Sequence, residues 1–296
     1  MVTRTSAPLG LRRGLALVAA TALAAALVVL APSTSRAADA AWTRVGTGIL
    51  EGVSGAAANP QGGWVVVRDN KNSGQNRVAL LSDGGNVTPL SWPGTAPSDL
   101  EAIDGVPGQP GRFAVVTSTG VGRIIDVNGT TLTVVRSFRL PTGRTENEAF
   151  QMTRFDNSNV AVWGNRGSTS APGRLYAAKF NVTKGSFGAS VTATVRVSVP
   201  STNVRHISDA ELVGGNRIVI SSASDAGNNG PFSSSLHNVG TVSFVSGKAR
   251  LAVTTPQLIA TYDDHKIEAV ACAGASGIMG TDDENLGAFV ASATFC

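Results

Sequence analysis

Leu100-Glu101-Ala102-Ile103 sets a glutamate inside a short apolar run, and the arrangement returns at Leu50-Glu51-Gly52-Val53, Asn147-Glu148-Ala149-Phe150, Ala210-Glu211-Leu212-Val213 and Ile267-Glu268-Ala269-Val270. Successive glutamates are separated by 50, 47, 63 and 57 residues. A period of this length suits one four-stranded unit per repeat, the signature of a propeller blade. The five repeats predict an all-β, five-bladed β-propeller with five acidic side chains turned toward one axis.

Beyond each glutamate, after a turn rich in Gly, Pro or Asn, a β-branched run reads as the second strand of a blade: Trp64-Val65-Val66-Val67, Phe113-Ala114-Val115-Val116, Val160-Ala161-Val162-Trp163, Ile218-Val219-Ile220 and the weaker Gly277-Ile278-Met279-Gly280. Third strands are predicted to start at Arg77, Arg123, Arg174, Val239 and Leu286. The fifth repeat ends after its third strand, while Trp42-Thr43-Arg44-Val45 belongs to no repeat. Residues 42–48 are therefore expected to form the outer strand of the last blade and close the ring. Gly164 to Gly173 and Ser224 to Asn238, both rich in Gly, Ser and Asn, read as rim loops, the second including Ser233-Ser234-Ser235.

Residues 1–40 read as a signal peptide, and residues 41–296 as a single propeller domain. Arg4, Arg12 and Arg13 form a basic start, Gly14 to Ala31 carries no charge, and small-residue cleavage sites follow at Ser35-Arg36-Ala37 and Ala38-Asp39-Ala40. The uncharged run also reaches the length of a short membrane span, so an uncleaved anchor is the alternative. With cleavage, a secreted protein is expected, not bound to membrane. Cleavage after Ala37 removes the formal charge of +4, because four of the 24 basic residues lie before it and 20 acidic residues remain. This argues against nucleic-acid binding. A monomer is expected. The two cysteines, Cys272 and Cys296, are expected to form a disulfide in an exported chain, and no histidine follows either at zinc-site spacing.

Glu51-Gly52-Val53-Ser54-Gly55 leading to Trp64-Val65-Val66-Val67-Arg68-Asp69, together with Asp99-Leu100-Glu101-Ala102-Ile103, resembles the opening strands of the esterase-like domain associated with phytases. The blade count and acidic positions are also similar to the calcium-activated nucleotidase propellers. These resemblances imply a propeller, calcium on its axis, and ester or phosphoester hydrolysis.

Five carboxylates facing one axis repel one another, and a hard cation with oxygen ligands relieves that repulsion. Glu51, Glu101, Glu148, Glu211 and Glu268 are therefore candidate ligands for Ca2+. The alternative is that they accept hydrogen bonds from neighbouring blades, or pair with arginines, and keep the ring in register. Arg77, Arg123 and Arg174 are candidates for gripping a phosphate or carboxylate, or for pairing with acids between blades. His206, flanked by Arg205 and Asp209, is the candidate acid/base. Thr281-Asp282-Asp283-Glu284-Asn285 offers a base or metal ligand, or forms a solvated turn. No G-x-S-x-G elbow is present. The function expected is metal-dependent hydrolysis of phosphate or carboxylic esters. The alternative is a non-catalytic extracellular module binding cell-wall glycan or protein, so the partner is a small molecule or a cell-surface ligand.

Overall fold

The computed structural model describes residues 40–142 and 146–296. The predicted leader falls almost entirely outside these residues. Among the described residues no helix is long and apolar enough to cross a membrane.

The strands form five sheets arranged as a five-bladed β-propeller. Strand β1 (Thr43–Gly46) and a 3-10 turn (Ile49–Glu51) precede the first blade, which comprises β2 (Gly55–Ala58), β3 (Trp64–Val67), β4 (Val78–Leu81) and β5 (Val87–Leu90). The second blade is β6 (Leu100–Gly105), β7 (Arg112–Thr117), β8 (Val121–Asn128) and β9 (Thr131–Arg139). In the third blade, β10 (Asn147–Phe155), β11 (Ser158–Asn165) and β12 (Gly173–Asn181) are followed by an outer edge broken into β13 (Ser186–Phe187) and β14 (Val191–Val195), both paired with β12. The fourth is β15 (Val204–Val213), β16 (Arg217–Ser224), β17 (Ser233–Val245) and β18 (Lys248–Asp263). The fifth contains β19 (Ile267–Ala273), β20 (Ser276–Thr281) and β21 (Ala288–Ala293), with a 3-10 turn (Glu284–Leu286) before its last strand.

Continuous apolar runs, rather than alternating ones, mark the inner strands because both faces of each blade are buried. Alternate residues go to opposite neighbours. Val65 and Val67 pack with Leu100, Ile103 and Val115 of the second blade, whereas Trp64 and Val66 pack with Ala269, Ala271 and Ile278 of the fifth. Every interface between consecutive blades has such a cluster, with Phe150 and Trp163 against Phe138 at one and Ile207 against Leu175 at the next.

β1 pairs antiparallel with β21, Thr43 opposite Val290 and Arg44 opposite Phe289, so the N-terminal segment supplies the outer strand of the last blade as expected. Arg44 fastens it, with its guanidinium 4.3 Å from the centre of the Phe289 ring and Nη1 donating to the Leu286 carbonyl at 2.6 Å. The same blade carries the Cys272–Cys296 disulfide, with the two Cα atoms 5.7 Å apart. Because β20 lies between β19 and β21, the tail must fold back across it, and Gly277 makes this possible. A Cβ there would collide with the Cys296 sulfur.

The segment predicted as a loop from Ser224 to Asn238 is a loop only until Phe232, because β17 begins at Ser233. Ser234 and Ser235 are buried in the strand and bond the carbonyls of His265 and Val199 at 2.8 and 2.5 Å. Paired hydroxyls let a serine-rich stretch be a core strand even though its composition suggests a linker.

Candidate functional site

In an antiparallel blade the start of the inner strand and the end of the second strand lie at the same edge, so both project toward one mouth of the axis. There the chain surrounds a cavity of about 620 Å3. Eight carboxylates line it against four cationic side chains, Lys71, Arg166, Arg205 and Lys266.

Three of the five repeated glutamates reach this region by a common device. The register of the inner strand slips between Leu100 and Ala102, between Asn147 and Ala149, and between Ile267 and Ala269. Glu101, Glu148 and Glu268 are thus the extra residue of a bulge, which re-aims a side chain out of the alternating pattern. Two of the predicted five do not join them. Glu51 precedes its strand, in the 3-10 turn, and its carboxylate accepts from the Thr47 backbone N–H at 2.6 Å. Glu211 lies in regular register opposite Val219, because the slip in β15 falls earlier, between Arg205 and Asp209. From its inner strand the fourth blade gives the cavity Arg205 instead.

Glu211 belongs to a deeper set of acids that hold the blades together. Asp104 accepts from Met152 N–H of the next blade at 2.6 Å, and Asp209 from Val270 N–H at 2.8 Å. Burial raises the pKa of both, and that of Glu211, whose carboxyl is pulled the other way by the N–H groups of Cys272 and Leu212. This is the register role foreseen as the alternative for the glutamates, filled here by Glu211 together with Asp104 and Asp209.

For Asp104, burial pushes the pKa from an ordinary 3.8 up to about 7, against the pull of the Met152 and Gly105 N–H donors. Folded protein therefore keeps a proton that the unfolded chain has released. The resulting stability is complete below the unfolded value and is lost as the pH rises through about 7. With chelator present, the melting temperature is expected to fall between pH 5.5 and 8, and to fall less steeply in Asp104→Asn. An unchanged slope in the variant would mean that this carboxyl does not titrate in that range.

At the mouth, compensation is uneven around the ring. Arg205 Nη1 lies 2.6 Å from Glu268 and 3.7 Å from Glu148, and its Nη2 is 2.9 Å from Asp225. Buried Lys266 pairs with Glu268 at 3.3 Å, with Asp282 at 3.8 Å and, more closely, with Glu284. Arg166 meets Glu146 at 3.1 Å and Glu148 at 3.7 Å. Burial pushes Glu148 up to about 7, with Arg205 opposing. Asp282 is held well above its ordinary value by burial and then by Glu268.

On the first two blades the balance differs. Asp69 follows β3, Asp99 precedes β6, and oxygens of Asp69, Asp99 and Glu101 lie within 4.8 Å of one another. Asp99 adopts φ of +66° and accepts a hydrogen bond from the Ser118 hydroxyl. Glu101 is only 8% exposed and faces the cavity. Among the described residues, no donor stands within hydrogen-bonding or ion-pair distance of its carboxylate. Its pKa is raised well above the usual range by burial, then by Glu148 and Glu268. Oxygen-only donors at this spacing suit a hard cation, since calcium–oxygen distances of about 2.3–2.6 Å place two ligand atoms up to roughly 5 Å apart.

Of the other predicted site residues, Asp282 and Glu284 line the cavity, whereas Arg77, Arg123, Arg174 and His206 lie elsewhere. Arg77 is buried and each of its three guanidinium nitrogens donates to a carbonyl, those of Pro97, Gln75 and Asn72, so it braces a loop and grips no anion. Arg123 donates to the Gly122 carbonyl at 3.0 Å, and Arg174 is exposed on β12. His206 is buried, its Nδ1 accepting from Val197 N–H at 3.2 Å, and its pKa is lowered by burial and then by Arg196. It is a packed histidine and is not among the residues that line the cavity. The Thr281–Asn285 stretch is no solvated turn in its first half. Asp282 and Asp283 are each 1% exposed, and Asp283 binds His265 Nδ1 and Lys266 N–H, both at 2.6 Å.

A sequence signal for the missed residues exists. The first position after each second strand is Arg68, Ser118, Arg166, Asp225 and Asp282, a second polar series parallel to the glutamates.

No family model matches the chain, and no curated protein does. Solved structures similar to it include apo AztD from Citrobacter koseri, 14% identical over 71% of this chain and 49% of that one, with a TM-score of 0.35. An auxiliary nutrient binding protein from Bacteroides ovatus is 13% identical over 81% and 59%, with a TM-score of 0.38. A glycoside hydrolase is 11% identical over 84% and 62%, with a TM-score of 0.49. The chain thus spans about half to three fifths of the length of these proteins.

Proposed function

We propose that this is an extracellular calcium-binding propeller whose axial cavity hydrolyses esters. The observation that carries the reading is Glu101, a carboxylate more than nine-tenths buried, aimed into the cavity with no protein donor, beside Asp69 and Asp99. An isolated buried carboxylate is costly unless something pairs with it. These three side chains would hold the ion. Calcium takes about 6–8 oxygens, so ligand positions toward the cavity remain for water and substrate. When bound, calcium supplies Lewis-acid polarisation of an ester oxygen and makes water a better nucleophile.

The chain's own groups supply the rest. Asp282, whose pKa burial and Glu268 raise, lines the cavity as the group to hand a proton to a leaving alcohol. Arg166, about a third exposed, can orient an oxygen of the substrate. The excess of carboxylates favours an uncharged carboxylic ester over a phosphate, which the cavity would repel. The uncharged run from Gly14 to Ala31 behind a basic start, together with the disulfide, supports an extracellular location.

Calcium is expected to raise the melting temperature of the purified protein and chelator to lower it. Glu101→Gln should abolish both the shift and calcium-dependent hydrolysis of a nitrophenyl acetate. A calcium shift that persists in Glu101→Gln would exclude this corner as the site.

One observation favours the second reading, a non-catalytic module for glycan or protein. Among the described residues no Ser, Thr, Cys or His lines the cavity, so covalent catalysis by those side chains has no place there. Calcium-dependent glycan binding without turnover would support it. Its rim loop is then 225–232, of which Asn228 reaches the cavity.

A further inference from the structure

Lys71 is the cation that stands at the uncompensated corner. Its Nζ lies 3.0 Å from Asp99 Oδ1 and 3.6 Å from Asp69 Oδ2, two of the three residues whose oxygens converge. The backbone beneath it is firmly held. Gln75 Oε1 accepts from the Lys71 and Asn72 N–H groups at 3.1 and 2.8 Å, and Asn70 Nδ2 donates to the carbonyls of Leu50 and Asn76 at 2.9 and 2.7 Å. Its side chain, however, is 61% exposed, whereas that of Lys266 is 1% and that of Arg205 is 14% exposed. Lys266 and Arg205 are packed into place, while Lys71 is an ammonium on a flexible stem anchored to a rigid loop.

We infer that Lys71 is a tethered competitor for the cation: its ammonium occupies the Asp69/Asp99/Glu101 corner, swings out when a divalent ion binds, and so makes the site select divalent over monovalent ions. This rests on the calcium reading of that corner. The selectivity follows from charge. A sodium or potassium ion would replace one positive charge by another and gain nothing over a group whose effective concentration is high because it is tethered. A divalent ion doubles the positive charge among three carboxylates. Releasing Lys71 carries the modest cost of an exposed lysine–carboxylate pair, a few-fold in affinity, which a divalent ion outweighs and a monovalent ion does not.

The test is calcium titration by calorimetry and thermal unfolding of the purified protein, Lys71→Gln and Lys71→Arg. Lys71→Gln is expected to bind calcium about threefold to fivefold more tightly, since no ammonium has to be displaced from the carboxylates. Sodium, compared with tetramethylammonium at equal ionic strength, should raise the melting temperature of Lys71→Gln but not of the parent or Lys71→Arg. If parent and Lys71→Gln bind calcium equally, the calcium site stands and the competitor role is overturned. If neither binds, the reading of the site fails and this inference with it. Calcium binding by Lys71→Gln alone would support the inference most directly. Far-ultraviolet circular dichroism verifies that the variants are folded, as the exposure of this side chain leads one to expect.

Discussion

Arg205→Met is expected to destabilise the protein by about 3–5 kcal/mol, the range for removing one partner of a buried ion pair. In a domain of this size that lowers the melting temperature by roughly 10 °C. The guanidinium bridges three blades, touching Glu148 of the third, Asp225 of its own and Glu268 of the fifth. Methionine replaces the stem but leaves Glu148 and Glu268, with side chains each 3% exposed, more weakly paired with Arg166 and Lys266. Adding Glu268→Gln should therefore recover part of the loss, with a coupling of more than about 1 kcal/mol in a double-mutant cycle. The defect should also be larger at pH 8 than at pH 5.5, because Arg205 opposes the upward shift of Glu148 and its removal leaves a carboxylate that must be ionised at a greater cost. Denaturant unfolding measures both. A loss below about 1 kcal/mol would mean that the cluster behaves as a solvated surface pair.

Removing the disulfide by Cys272→Ser with Cys296→Ser should cost about 3–4 kcal/mol on the chain-entropy argument. The cysteines are 24 residues apart, so the bridge constrains the closing blade and its tail, not the whole ring. The tail retains other ties, with Arg217 Nη2 donating to the Phe295 carbonyl at 2.9 Å and the Phe295 ring buried in the core. A sharper check uses Gly277. Gly277→Ala places a methyl group where the Cys296 sulfur crosses β20, so it should impair bridge formation and leave titratable thiols. In the cysteine-free background the same substitution should cost much less. Full bridge formation with unchanged stability in Gly277→Ala would refute the crossing.

Much of the architecture was legible because it follows from local pattern. Trp64-Val65-Val66-Val67 reads as a strand buried on both faces, and so it is, with alternate residues going to two different blades. Closure by residues near 42–48 could be foreseen because a repeat lacking its fourth strand and an unassigned N-terminal segment complement each other. Ser233-Ser234-Ser235 was not legible as a strand, since only the tertiary fold supplies the carbonyls that satisfy its hydroxyls.

The candidate site was legible in part, and the division has a physical cause. A period in sequence determines which residues recur and, through strand pairing, how many blades form and where they close. It does not determine where within each repeat the register slips. That slip decides the direction of a side chain: at Glu101, Glu148 and Glu268 it turns the carboxylate inward, whereas in the fourth blade it comes earlier and leaves Glu211 among the deeper acids. Nor does the period reveal that Asp69, Asp99 and Lys71, from connections outside the repeated glutamate positions, meet at one corner. The sequence by itself determined the ring, its closure and its disulfide, because these depend on pattern and pairing. Only the tertiary structure decided which charges face one another, because that depends on bulges and loops whose directions are set by packing between blades.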